Sequence, residues 1–326
     1  MFYQCIDVKT KMNEAGRTST PFLFGVDFEM DEGFFVCNPL QQRDILFDIN
    51  GISNTKNYEI IIPNFRFDSF PEDFSTYQKR FDLIMSELCR GNSYLTNLTI
   101  KTPVQSSLSL YDIFTCSRTV YRLFLPEKFV CFSPERFVKI KNKKIYTYPM
   151  KGTIDANIEN AADIILNDYK ETAEHNTIVD LLRNDLSRVA TDVNVKQFRY
   201  IDSLKTNKGE ILQVSSEIEG ALPDDYLRNI GSLIFELLPA GSISGAPKKA
   251  TIDIIREAEQ ESRGFYTGIA GYFDGKNLDT CVLIRFIEQR GDGLFFRSGG
   301  GITVNSICES EYREAIQKIY LPFQPS

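Results

Sequence analysis

Two long helical segments interrupt runs of strands in this chain, and their placement argues against a regular strand–helix–strand alternation. Residues 170–186 (KETAEHNTIVDLLRNDL) put Ile178, Leu181, Leu182 and Leu186 on one side of a helix. A second helix is expected over about 248–261. Ahead of the first, residues 94–101, 120–132 and 137–148 are rich in Phe, Val, Ile, Tyr and Thr and predict strands. Behind the second come strands at 282–288 and 294–297, then a closing helix. Strands in groups with helices as insertions predict an α+β chain and not a parallel sheet. Residues 1–65 alternate apolar and polar segments (PFLFGVDFEM, GFFVCNPL, YEIIIPNF), which predicts short antiparallel strands. Residues 73–90 predict a helix stopped by Gly91, and 193–218 give a mixed pattern. With no repeat, low-complexity stretch or linker, one domain over residues 1–326 is expected.

The strand expected at 144–148 runs into Pro149-Met150-Lys151-Gly152-Thr153. Lys151 would leave that strand end into a tight turn, beside backbone that Gly and Thr allow a ligand to approach. Such a lysine can lose enough solvation to act as a neutral nucleophile or base, or it can be a solvated loop lysine. Glu174 lies near the start of the 170–186 helix, and Glu311 and Glu314 sit three apart in ESEYREAIQKI, on one helix face. Carboxylates so placed suit Mg²⁺, which keeps waters and takes its remaining ligands from an anionic substrate; the alternative is a solvent-facing pair. Gly299, Gly300 and Gly301 in a row offer either a concave set of amides or a flexible hairpin turn. In GSISGAPK (241–248), Ser244 is a candidate cap and Pro247 a first-turn residue for the following helix. That helix start would bind an anion or be plain punctuation.

These segments belong to a longer series: SPERFV (133–138), YPMKGT (148–153), AEHNTIVDLLRND (173–185), GSISGAPKKATIDII (241–255), GFYTGIAGYF (264–273), DTCVLIR (279–285) and GGGITVNSICESEYRE (299–314). In this order they resemble the chorismate-utilising enzyme family, and within it the aminodeoxychorismate synthase component I branch. Lys151 carries the choice of branch, since anthranilate synthases and many isochorismate and salicylate synthases usually have alanine there. The resemblance implies two large antiparallel sheets packed face to face with helices outside. It implies amination of chorismate at C4, with Glu135 as the general acid at the C4 hydroxyl and Lys151 attacking C2. It also implies Mg²⁺ at Glu174, Glu311 and Glu314, and chorismate contacts from Gly152, Thr153, Tyr266, Arg285, Gly299, Gly300, Gly301 and Lys318. Gln213 stands where the family often has His; it hydrogen-bonds but carries no proton, which puts an acid–base role there in doubt. The N-terminal part, about 1–70, is short for the family and lacks the Leu-Leu-Glu-Ser element of tryptophan-regulated relatives, so tryptophan feedback is not expected.

Composition narrows the partners. The net charge is −7, and the only basic run, KIKNKK at 139–144, is explained by a solvated hairpin turn, so neither nucleic acid nor an anionic membrane is expected as a partner. No apolar stretch is long enough to cross a membrane and no signal-peptide core opens the chain. Seven cysteines without metal-type spacing are expected as reduced, packed thiols of a cytoplasmic protein. The single histidine, His175, leaves no Cys–His pair for hydrolysing glutamine, so ammonia is expected from a separate glutamine amidotransferase subunit.

Overall fold

Alternation along each strand decides which layer a side chain joins. Phe22, Phe24 and Val26 enter a cluster with helical residues such as Val8, Met12, Ile178 and Leu182, whereas Leu23 between them meets Phe47, Tyr121 and Phe129. Phe129 and Cys131 likewise turn to that second cluster, while Val130 and Phe132 turn away from it. The computed structural model describes residues 1–55, 64–206, 209–291 and 293–323. Among these, two antiparallel sheets of ten and nine strands pack face to face, their inner sides sharing the cluster that includes the stacked Phe47 and Tyr272 rings. The helices α1 (Cys5–Arg17), α2 (Phe74–Cys89), α3 (Leu110–Cys116), α4 (Ala161–Asn167), α5 (Tyr169–Leu186), α6 (Ile230–Glu236), α7 (Gly241–Ser244), α8 (Lys248–Glu259) and α9 (Cys308–Gln317) complete the fold. Helices α1, α5 and α6 cover the outer face of the ten-stranded sheet, and α2, α3, α8 and α9 that of the other. The α+β architecture is therefore as expected.

The ten-stranded sheet runs in the order Phe2–Gln4, Glu32–Cys37, Phe22–Val26, Ile269–Phe273, Leu278–Val282, Arg136–Lys141, Lys144–Thr147, Gly209–Ala221, Met150–Asp155, with Thr191–Thr206 also paired to Gly209–Ala221. The other runs Gly245–Ala246, Leu95–Ser106, Gly293–Ile302, Phe286–Arg290, Phe129–Ser133, Tyr121–Leu125, Leu46–Ile49, Ile52–Ser53, with Phe67–Ser69 on Leu95–Ser106. The basic run closes a hairpin as expected, with Asn142 and Lys143 at φ 54° and 60°, the geometry a two-residue turn needs. No helix among the described residues is long and apolar enough to cross a membrane.

Several local expectations change. The N-terminal region holds α1 as well as strands: Val8, Met12 and Ala15 recur at helical spacing and are buried. The run YEIIIPNF (58–65) lies largely outside the described residues. The mixed pattern at 193–218 is one long hairpin whose register shifts three times, and each shift breaks the two-residue alternation. Ser244 does not cap α8; its hydroxyl donates to the Ala240 carbonyl, and Pro247 directly precedes the helix. Cys5, Cys116, Cys131 and Cys281 are buried, but Cys37 and Cys89 are exposed, one at a strand end and one on the last turn of α2.

Candidate active site

Lys151 lies inside a strand and not in a turn after one. Met150 pairs with Ser215 and Thr153 with Gln213, so Lys151 and Gly152 form a bulge with one extra residue. Gly152 has φ 80°, and a Cβ there would lie 3.0 Å from Glu171 Oε2 and 3.4 Å from Ile165, so glycine alone suits the position. The bulge aims Lys151 at α5, where its Nζ donates to Glu174 Oε2 at 2.9 Å. Burial works to lower the Lys151 pKa, but Glu174, Glu314 and Glu171 outweigh it and hold the amine above the ordinary lysine value. Burial does not by itself neutralise this lysine: here it is an ammonium in an ion pair.

Glu135 sits between the strands Phe129–Ser133 and Arg136–Lys141, its backbone held by Ser133 Oγ and by the Val282 amide. Burial raises its pKa, against the opposing pull of a 2.7 Å hydrogen bond from Ser242 Oγ and of the Lys151 and Lys318 charges. A buried carboxyl pushed upward can hold a proton that an exposed one would lose.

Four carboxylates gather around this wall. Glu171 and Glu174 come from α5, Glu311 and Glu314 from α9. A Cβ on Gly300 would lie 3.6 Å from Glu311 Oε2, 3.6 Å from Lys318 Nζ and 3.8 Å from Glu314 Oε1, and one on Gly301 4.0 Å from Lys151 Nζ. The α5 carboxylates thus lie beside Lys151 and the α9 carboxylates beside Gly300 and Lys318, near enough for Glu314 to act on the Lys151 charge. Lys318 Nζ lies 2.7 Å from Glu314 Oε1 and donates to the Gly299 carbonyl at 2.8 Å. Among the described residues, no three carboxylate, thiol or imidazole groups converge on one point as metal ligands. The donor set is nonetheless all carboxylate oxygen, which fits Mg²⁺ in kind; ligation would require the lysine pairs to Glu174 and Glu314 to open.

The three glycines are neither a nest nor a loose turn. They continue the strand Gly293–Ile302, with Gly299, Gly300 and Gly301 opposite Thr99, Leu98 and Asn97. The neighbouring strand on the other side ends at the Phe286–Arg297 pair, so from Ser298 onward alternate amides point away from the one ladder that remains. Their second use is space: a Cβ on Gly299 would lie 2.4 Å from the Leu98 carbonyl oxygen.

Between the sheets lies a cleft of about 360 Å³. Glu135, Lys151, Gly152, Thr153, Gln213, Tyr266, Arg285, Gly299, Gly300, Gly301, Glu314 and Lys318 all line it. Glu174 and Glu311 stand behind that lining, beside Lys151 and Gly300. Arg285 occupies a left-handed conformation (φ 53°), its guanidinium donating to the Lys318 carbonyl and lying over the Tyr320 ring. His175 is buried with Nε2 2.7 Å from Ser216 Oγ, and burial, helped by Arg199 and Lys151, brings its pKa down to about 4. Two residues of this region were not singled out from the sequence. Glu171 precedes Glu174 by three, the same spacing that marked Glu311 and Glu314. Ser242 lies in GSISGAPK (241–248), where small, turn-forming and capping residues mask a side chain that faces the cleft.

The sequence and the two-sheet fold both have counterparts among known proteins. Residues 63–323 match the chorismate binding enzyme family, and the chain belongs to it. It is a chorismate-utilising enzyme. It is 50% identical over 315 residues to an "Uncharacterized PabA-like protein" of Haemophilus influenzae, covering 96% of this chain and 95% of that protein. It is 32% identical over 266 residues to aminodeoxychorismate synthase component 1 of Bacillus subtilis, covering 77% of this chain and 55% of that protein. Its fold resembles that of a putative 2,3-dihydroxybenzoate-specific isochorismate synthase from Bacillus anthracis, with a TM-score of 0.75, 19% identity and coverage of 98% of this chain and 88% of that one.

Proposed function

We propose that this enzyme aminates chorismate at C4, giving 4-amino-4-deoxychorismate for p-aminobenzoate and folate synthesis. The observation that carries the reading is Lys151: a primary amine on a bulge, lining the same cleft as a buried carboxyl with a raised pKa. By the resemblance, the sister enzymes that form isochorismate or anthranilate usually have alanine here and so present no nucleophilic nitrogen.

Lys151, once parted from Glu174 and with its ammonium proton lost to solvent water, adds to C2 of chorismate. Both ring double bonds shift by one position and the C4–O bond breaks. Glu135 supplies the proton, so the hydroxyl leaves as water and Glu135 is left as a carboxylate. Ammonia then adds at C4, both double bonds shift back, and Lys151 departs as the neutral amine. The new C4 ammonium returns a proton to Glu135, which closes the cycle. Arg285, Lys318 and the open amides of the glycine strand line the cleft and are the groups that would meet the substrate carboxylates. Glu174, Glu311 and Glu314, with Glu171 adjacent, are the residues that would hold Mg²⁺; when bound, it would neutralise their charge and attract a substrate carboxylate.

We infer that the ammonia comes from a separate glutaminase subunit. The one histidine is engaged with Ser216 deep in the fold, which leaves no imidazole to activate a cysteine for glutamine hydrolysis. The test is product identity. Purified protein with chorismate, Mg²⁺ and ammonium at elevated pH, followed by an added lyase, is expected to yield p-aminobenzoate, with no product when glutamine replaces ammonium. Anthranilate or isochorismate instead would overturn the amination at C4. Product from glutamine alone would overturn the need for a second subunit.

A further inference from the structure

The Ser242 hydroxyl donates to Glu135 Oε1 at 2.7 Å, from a helix of only four residues packed against α5. That packing is tight. A Cβ on Gly241 would lie 2.8 Å from Asp185 Oδ2 and 3.1 Å from Leu181, and Asp185 also pairs with Lys248 Nζ at 2.9 Å, at the start of α8. Lys248 donates as well to the Leu237 carbonyl at 2.7 Å, just ahead of α7. The Ser242 backbone is thereby fixed from both ends to the helix that carries Glu174, and Ser242 lines the cleft beside Glu135.

We propose that Ser242 is a positioning residue for the reaction inferred above: it occupies one oxygen of Glu135 and leaves the other, bearing the proton, directed at the substrate hydroxyl. A carboxyl with one oxygen engaged as an acceptor carries its proton on the other, so the hydrogen bond decides which oxygen delivers it. A freely rotating carboxyl would present the protonated oxygen to the cleft only part of the time. Charged neighbours do not duplicate this. Lys151 on its bulge and Lys318 beyond α9 act on Glu135 through their charges, and Cys281, on the adjoining strand Leu278–Val282, feels the carboxylate in turn. Among the described residues, Ser242 is the donor to a Glu135 side-chain oxygen and these groups act through charge.

The inference rests on Glu135 being the acid, and the experiment separates the two. Chorismate disappearance is followed in the whole protein with Mg²⁺ and ammonium, whatever the product, for wild type, Ser242→Ala, Ser242→Thr, Glu135→Gln and the double variant Ser242→Ala/Glu135→Gln. Ser242→Ala is expected to lower kcat roughly tenfold while KM for chorismate moves less than about twofold, since the bond acts on the acid and not on binding. Ser242→Thr, which keeps the hydroxyl, is expected to retain most of the rate. In the Glu135→Gln background the serine change is expected to add nothing further, because both act through one group. Equal fold-losses in both backgrounds, or a threonine variant as slow as alanine, would overturn the positioning role and leave the acid assignment standing. A Glu135→Gln enzyme as fast as wild type would overturn both. Amination is judged separately, by the product.

Discussion

Lys151 Nζ donates to Glu174 Oε2 across 2.9 Å, joining a bulged sheet edge to the first half of α5. The pair explains why the amine is held as an ammonium despite its burial, and it makes the carboxylates around it part of the lysine's chemistry. Separating the two charges is a condition for Lys151 to act as a nucleophile. Removing either partner therefore affects the reaction well before it affects the fold.

Lys151→Ala is expected to reduce turnover of chorismate with ammonium by at least about 100-fold. Far-UV circular dichroism should be unchanged, because Lys151 lies at the edge of its sheet and packs no core cluster. Turnover near that of the wild type would remove the lysine from the mechanism.

Glu314→Gln takes one charge from the pair of helices proposed to hold Mg²⁺. The Mg²⁺ concentration for half-maximal rate is expected to rise roughly 10- to 100-fold, as for other losses at metal sites. Activity that survives chelation by EDTA, or a variant with an unaltered Mg²⁺ requirement, would contradict the metal assignment.

The rate should also report Glu135. Its pKa is raised by burial and the acid must be protonated to act, so Glu135 is expected to set a falling alkaline limb of kcat, while the need for neutral Lys151 and neutral ammonia sets the fall on the acid side. Glu135→Gln should be much slower and should lose this alkaline limb. An identical limb in the variant would assign it to another group.

Stability gives an independent check away from the cleft. Burial, with Glu29 and Asp31 nearby, pushes Asp27 up to about 6, while its Oδ1 accepts the Asp31 amide at 2.9 Å. A carboxyl with a raised folded-state pKa binds its proton more tightly when folded. Its contribution is thus fully present below the unfolded value of 3.8 and is lost as pH rises to about 6. Asp27→Asn keeps an oxygen acceptor and never ionises, so its Tm advantage over the wild type should grow between pH 4 and pH 7, tracked by differential scanning calorimetry. A constant difference across that range would refute the shift.

Much of this was legible in the residues, and the rest failed for physical reasons. The α+β class followed from strands grouped around two amphipathic helices, and α5 was found within one residue of its start because Ile178, Leu182 and Leu186 recur at helical spacing. Helix α1 escaped because its apolar positions are few and separated by charge, and only burial against Leu227 and Ile230 makes Gly16 and its neighbours intelligible. The hairpin from 191 to 221 escaped because bulges scramble its alternation. At the site, the structure gathers the expected residues around one cleft, but their geometry was not legible. The glycine run looks like a turn from composition, yet Leu95–Ser106 draws it out into a strand. The electrostatic state of Lys151 depends on Glu171 and Glu314, contributed by two separate helices, a relation no local window contains.

The central claim is that Lys151 bonds to the substrate, and peptide mass spectrometry tests it most directly. Protein incubated with chorismate and Mg²⁺ in the absence of ammonia is expected to carry one chorismate less a molecule of water, mapped to the peptide containing Lys151 and released as 4-amino-4-deoxychorismate when ammonium is added. Lys151→Ala should carry no such adduct. An unmodified Lys151 in enzyme that proceeds at full rate on adding ammonium, or an adduct that persists in the alanine variant, would contradict the account.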